Sequence, residues 1–120
     1  LDVVDDQVGQ PTWTKDVAEM IKSLINQEIA SGIFHGTNSG STTWHGFATK
    51  LFELAKWDPT RLRVASTEAF PRPAPRPAWS VLGHKNWAEH GLPSPRNWEV
   101  ALGEAWGAGL SNFALPGAES

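Results

Sequence analysis

The residues of this 120-residue chain that could do chemistry fall into four groups: four histidines, the neighbours Asp5 and Asp6, the loop Gly36-Thr37-Asn38-Ser39-Gly40, and the run FPRPAPRPAWSVL at positions 70–82. Neither His35 with His45 nor His84 with His90 has the i,i+4 or HxH spacing that puts two imidazoles on one metal, so no metal site is expected. Adjacent carboxylates in an extended segment point to opposite faces, so Asp5 and Asp6 cannot share a proton as an acid/base pair. Each is either a turn former or an orienting group for a ligand. The glycine-flanked loop precedes a helix, where backbone amides can cradle a phosphate. Its spacing matches neither GxGxxG nor a P-loop, and it is expected to be only a connection. No GxSxG nucleophile elbow is present.

The proline run admits three readings. Pro71, Pro73, Pro75 and Pro77 are never three apart, which removes the PxxP register of a polyproline ligand. A stiff strap, favoured because proline limits the unfolded chain, explains the prolines but not Arg72 and Arg76. An arm that presents arginine to a diphosphate explains both, since a planar guanidinium matches phosphate oxygens and a stiff frame loses little entropy on binding. In polyproline II geometry the two arginines stand about 12 Å apart, too far to grip one small anion together.

Composition narrows the field. The chain has no cysteine, which excludes disulfides, thiolate metal sites and cysteine nucleophiles. It has seven tryptophans and no tyrosine, so any mechanism needing a tyrosine acid is excluded within this segment. A net charge of −3 argues against a nucleic-acid partner, which needs a concentrated basic face. No apolar run approaches a membrane span and no leader opens the chain, so no membrane partner and a cytoplasmic location are expected. Leu1 stands first and runs directly into apolar sequence, which leads us to expect a piece cut from a longer protein.

The elements that must position these groups follow from periodicity. Val3 and Val4 form a short strand, and Asp5, Asp6, Gly9 and Pro11 a turn. Thr14 caps a helix reaching Gln27 or Ile29, with Val17, Ile21, Leu24, Ile25 and Ile29 inward and Ser31-Gly32 as its stop. Ile33–His35 is a brief strand. Ser41 or Thr42 caps a second helix with Trp44, Phe47, Ala48, Leu51, Leu54 and Ala55 inward, ended by Asp58-Pro59. RLRVAST is a third strand. HKNWAEH is a short helix closed by Gly91, and Ser94-Pro95 opens a last helix whose stripe is Trp98, Ala101, Leu102, Ala105 and Trp106. Residues 111–120 read as a flexible tail. The fold class is α/β, or α+β when isolated: about four helices and two or three short strands, too little sheet to close on itself.

The motifs VVDDQVGQPT, GIFHGTNSGSTTWHGFA and FPRPAPRPAWSVL, in this order, resemble the C-terminal part of the dTDP-4-dehydrorhamnose reductases, extended short-chain dehydrogenase/reductases. The resemblance implies that residues 1–110 are a sugar-nucleotide-binding portion lacking most of the Rossmann sheet. It implies a parent enzyme that reduces dTDP-4-dehydro-L-rhamnose to dTDP-L-rhamnose. NADPH and the catalytic tyrosine and lysine then belong to a missing N-terminal Rossmann portion, and this chain by itself takes no cofactor and is silent. Carried over position by position, Asp6, Gln7, Gly9, Pro11 and Thr12 form the rim of the dTDP-sugar pocket, Arg76 faces the diphosphate, and Ser80 lies beside it. Trp44 is expected in the core. The uncovered strands would make the isolated chain self-associate. Two other classes remain open: a non-catalytic sugar-nucleotide binder, or a regulatory module like that of methionine adenosyltransferase, and a sugar-nucleotide epimerase of the same superfamily.

Overall fold

The structure is a computed structural model and describes residues 1–29 and 31–109. The tail expected at 111–120 lies outside the described residues. Four α-helices and four short strands appear among those described, as the α/β reading expects. Strand β1 (Asp2–Val4) pairs in parallel with β4 (Arg63–Ala65), Val3 opposite Val64. Strand β2 (Val8–Gly9) pairs antiparallel with β3 (Thr42–Thr43), Val8 opposite Thr43.

Helix α1 (Thr14–Asn26) carries the expected amphipathic pattern, but its inner face is rotated. Met20 is buried, with Val17 and Leu24 packed beside it, whereas Ile21 and Ile25 are 52% and 70% exposed. The reason is the partner: Trp87, 1% exposed, and Leu92 meet Met20 in one cluster with Phe34 and Ile29. That cluster fixes the helix phase, and β-branched residues at Ile21 and Ile25 are left outside. The helix ends at Gln27 and Glu28, the latter at φ 48°, before Ser31-Gly32 is reached. Thr14 is not its cap. Trp13 holds that position, and its N–H is taken by the Asn38 side chain from far along the chain (2.9 Å).

Ile33–His35 forms no strand. Its carbonyls are satisfied by side chains of α3 (Lys85–Glu89): Asn86 Nδ2 donates to Ile33 O and Trp87 Nε1 to His35 O. Phe34 turns inward, edge-on to Trp87 at 5.5 Å. A segment whose polar groups are served this way has no use for a ladder.

Helix α2 (Trp44–Ala55) is capped by Thr43, whose hydroxyl accepts from Gly46 N, one residue beyond the expected Thr42. Lys56 closes it in the left-handed conformation ahead of Asp58-Pro59, as expected. Helix α4 (Trp98–Gly107) starts at Trp98 behind an Asn97 cap, not at Ser94-Pro95. Residues 95–97 are extended instead because they pair with the glycine loop: Ser39 N donates to Arg96 O and Trp98 N to Ser39 O. Gly40 allows that approach. It sits at φ 77°, and a Cβ there would lie 2.8 Å from Asn97 Nδ2. Trp98, Ala101 and Leu102 bury the face of α4, with Phe47 of α2 at 6.1 Å from Trp98.

Candidate functional site: a double cleft under the proline arm

The turn after β1 does more than reverse the chain. The Asp6 carboxylate accepts the backbone N–H and the hydroxyl of Thr67 (2.8 and 2.6 Å), and these bonds hold its pKa below the usual carboxylate range. Gln7 Nε2 donates to the same hydroxyl. Two residues on, Val8 bonds the far side of the arm: its N–H reaches Ala78 O and its carbonyl takes Ser80 N and Ser80 Oγ. The exposed arm therefore leaves from Thr67 and returns at 78–80, and both ends stand on residues 6–8. Gly9 permits the return strand to lie close, since a Cβ there would be 3.1 Å from Ser80 Oγ.

Beneath the arm lie two adjoining clefts of about 720 and 520 Å³. Gln7, Trp44 and Arg76 line both and mark their boundary. The first also has Phe70, Arg72 and Thr67 on its walls, the second Gly9, Pro11, Thr12 and Ser80. The arm is not a straight polyproline rod. It bends at Pro73 and Ala74, and Arg72 and Arg76 both line the first cleft.

Charge is distributed unevenly around the clefts. Asp2, on the first cleft, is bound by Arg63 at 2.7 and 3.2 Å, which lowers its pKa. Asp5 accepts from Thr43 Oγ1. Arg72 and Arg76 make no hydrogen bond or ion pair with the described residues. An acidic chain thus holds two uncompensated guanidinium groups over clefts whose other polar walls are amides, hydroxyls and, on the first cleft, the Asp2 carboxylate already paired with Arg63. Such walls can receive an anion and a hydroxyl-rich group together.

Of the residues nominated from sequence, Gln7, Gly9, Pro11, Thr12, Arg76 and Ser80 come together on the cleft walls. Asp6 does not: its carboxylate faces Thr67 and lines neither cleft. Trp44, expected in the core, is 59% exposed and stands between the clefts. The first turn of α2 overruns the core, and a Trp directly after the capping Thr43 is the signal that could have revealed this. The link from Gln10 to Thr37, and from Thr37 to His84, was not readable from sequence because these partners are distant along the chain. No group of three or more His, Cys, Asp or Glu that could hold a metal occurs among the described residues, nor any helix long and apolar enough to cross a membrane.

Comparison with known proteins supplies the wider context. A Streptomyces antibioticus protein named "Probable dTDP-4,6-dihydroxy-2-methyloxan-3-one 4-ketoreductase" is 50% identical over 88% of this chain and 36% of its own length. The dTDP-4-dehydrorhamnose reductase of Streptomyces griseus is 43% identical over 96% of the chain and 40% of its own length. The chain thus spans well under half the length of these curated relatives. In structure it is similar to the dTDP-4-dehydrorhamnose reductase of Bacillus anthracis solved with NADP, with a TM-score of 0.81 and 35% identity over 87% of this chain and 36% of that one. The Clostridium acetobutylicum ortholog gives 0.79 and 38% over the same shares. The family model described as "RmlD substrate binding domain" matches residues 1–109, and the chain belongs to that family.

Proposed function

We propose that this segment is the sugar-nucleotide wall of an NADPH-dependent reductase that converts dTDP-4-dehydro-L-rhamnose to dTDP-L-rhamnose. One observation carries the reading: Arg76, free of any protein counter-ion among the described residues, borders both clefts opposite a wall of amides and hydroxyls. A nucleoside diphosphate sugar has the matching parts, a dianionic link between two uncharged or hydroxyl-rich ends. Arg76 holds the diphosphate, Gln7, Thr12 and Ser80 offer polar contacts to the adjoining group, and Trp44 gives an aromatic surface at the junction.

NADPH would supply the hydride, and no glycine-rich dinucleotide loop exists here to hold it. With no tyrosine either, the segment alone is expected to oxidise no NADPH. The cofactor belongs to the part of the protein that the longer relatives carry beyond this match. Two-stranded β1–β4 with Val64 63% exposed supports the same division, because a sheet continued by the missing part would cover that face. In isolation the same edge would drive self-association.

The test is steady-state kinetics on the complete protein that carries this segment. The diphosphate does not change charge during reduction, so Arg76 aids ground state and transition state alike. A charge-assisted hydrogen bond is worth about 1.5–3 kcal/mol, so Arg76→Ala should raise KM roughly 10- to 150-fold with kcat little changed. A fall in kcat with KM untouched would refute the diphosphate assignment. NADPH oxidation separates the reductase from a silent binder or regulatory module, and product configuration separates it from an epimerase. A second substrate reading has support in a name: the Streptomyces niveus relative, 45% identical, is a dTDP-4-keto-6-deoxy-D-glucose reductase. Comparing the two keto sugars at equal concentration decides between them.

A further inference from the structure

The arm's return is fastened by more than Val8. Gln10 is bonded to both sides of the Leu82 peptide: Oε1 accepts Leu82 N–H at 2.8 Å and Nε2 donates to Leu82 O at 3.1 Å. The N–H can only donate, so the orientation of the amide is fixed by this pair. The side chain thereby continues, with its own amide in place of backbone groups, the pairing that Val8 begins with Ala78 and Ser80.

Oε1 has a second donor, the hydroxyl of Thr37 at 3.1 Å. With that hydrogen committed, His84 Nε2 donates to Thr37 Oγ1 at 2.8 Å. Burial lowers the His84 pKa, which keeps the ring neutral near pH 7. Gln10 therefore ties the residues that follow the arm to the glycine loop as well as to the turn. Oε1 is engaged by two donors and Nε2 by Leu82 O, which commits the amide to the arm's return although Gln10 also lines the second cleft.

We propose that Gln10 is a positioning residue for Arg76: by holding Leu82 it sets the return of the arm and so the place of the guanidinium over the clefts. The proposal rests on the diphosphate reading of Arg76. It predicts that the loss of Gln10 is felt through Arg76 and not through a contact of its own.

The experiment is a double-mutant cycle on the complete protein with dTDP as the probe, affinities read by calorimetry and amide exchange followed at Ser80 and Leu82. Gln10→Ala removes two or three neutral hydrogen bonds and should weaken dTDP about 5- to 30-fold. Exchange at Leu82 should rise while the melting temperature stays within a few degrees. In the Arg76→Ala background the same change should cost less than about twofold, because the group it positions is gone. Thr37→Val, which leaves the Leu82 pair intact, should cost less than Gln10→Ala.

Unchanged dTDP affinity in Gln10→Ala, with Arg76→Ala weakened, would overturn the proposal and leave the Arg76 reading standing. Full additivity in the cycle would overturn it too, by showing that Gln10 acts independently of Arg76. If Arg76→Ala binds dTDP as the parent does, the diphosphate reading fails, and the proposal with it. Should Gln10→Ala not fold, Gln10→Asn keeps an uncharged amide but is one methylene too short to hold Leu82 N–H and Leu82 O as Gln10 does, and is held to the same three criteria.

Discussion

Three arginines in this chain follow a proline, and they have opposite fates. Arg96, after Pro95, is fully engaged: Nε and Nη2 donate to Asp16 at 2.8 Å each, Nη1 meets Glu104, and the group lies 5.5 Å from the Trp13 ring. Its carbonyl also takes Ser39 N and Asn38 Nδ2. Arg72 and Arg76, after Pro71 and Pro75, meet no carboxylate among the described residues. The same dipeptide makes a structural rivet in one place and leaves a guanidinium without a carboxylate partner over a cleft in the other. What decides is the supply of acidic neighbours: α1 and α4 bring Asp16 and Glu104 to Arg96, while Asp2, Asp5 and Asp6 are taken by Arg63, Thr43 and Thr67 and no carboxylate among the described residues pairs with Arg72 or Arg76. An uncompensated arginine over a cleft is therefore a stronger functional sign than an arginine in a proline run.

The contrast can be tested from the rivet side first. Asn38 is fully buried at its centre, donating to Asp16 (2.6 Å) and Arg96 O (3.2 Å) while accepting Trp13 N–H. Asn38→Ala strands those groups and should lower unfolding free energy by about 3 kcal/mol. Urea titration followed by tryptophan fluorescence checks it. A cost below about 1 kcal/mol would mean the corner is not a rivet.

Arg96→Ala should cost about 1–2 kcal/mol, less than a buried pair because Arg96 keeps a third of its side chain in solvent. It carries a pH signature. Bonds from Arg96, then from Asn38, depress the folded pKa of Asp16 below its ordinary 3.8. A depressed carboxylate contributes stability that is present above 3.8 and is lost as pH falls through the folded value. The parent should therefore lose stability on acidification below about pH 4 more steeply than Arg96→Ala, with dTDP affinity at pH 7 equal in both. Equal acid slopes would break the assignment of the rivet to this pair.

The smallest effect is expected at Arg72, which lines only the first cleft. Arg72→Ala should leave unfolding unchanged and raise KM by at most about fivefold, as befits a solvent-screened contact. A larger effect than that of Arg76→Ala would move the grip along the arm.

Legibility in the sequence followed the range of the interactions. The length of α2 and its stop were readable because Phe47, Leu51, Leu54 and the Asp58-Pro59 break are local. The phase of α1 was not, because Met20 is chosen by Trp87, and the start of α4 was not, because Ser39 holds residues 95–97 extended. At the site, motif resemblance nominated six residues that do line the clefts. Asp6 was misplaced and Gln10 overlooked for one physical reason: both serve partners some 60–72 residues away, and no periodicity records a side chain that bonds a distant backbone.

That separation also sets an order of events. Residues 2–10 find almost none of their partners nearby: β1 waits for Arg63–Ala65, Asp6 for Thr67, Val8 for Ala78 and Ser80, Gln10 for Leu82. Closing loops of this span must precede any reward from the contacts they allow. Helices α1 and α2 rest on local contacts and can form while those strands are still unpaired, so the arm and its anchors are expected to order after them. During synthesis, Asp2–Val4 stays unpaired until residues 63–65 have left the ribosome and Gln10 until Leu82 has, intervals in which the bare strand edge is exposed to other chains.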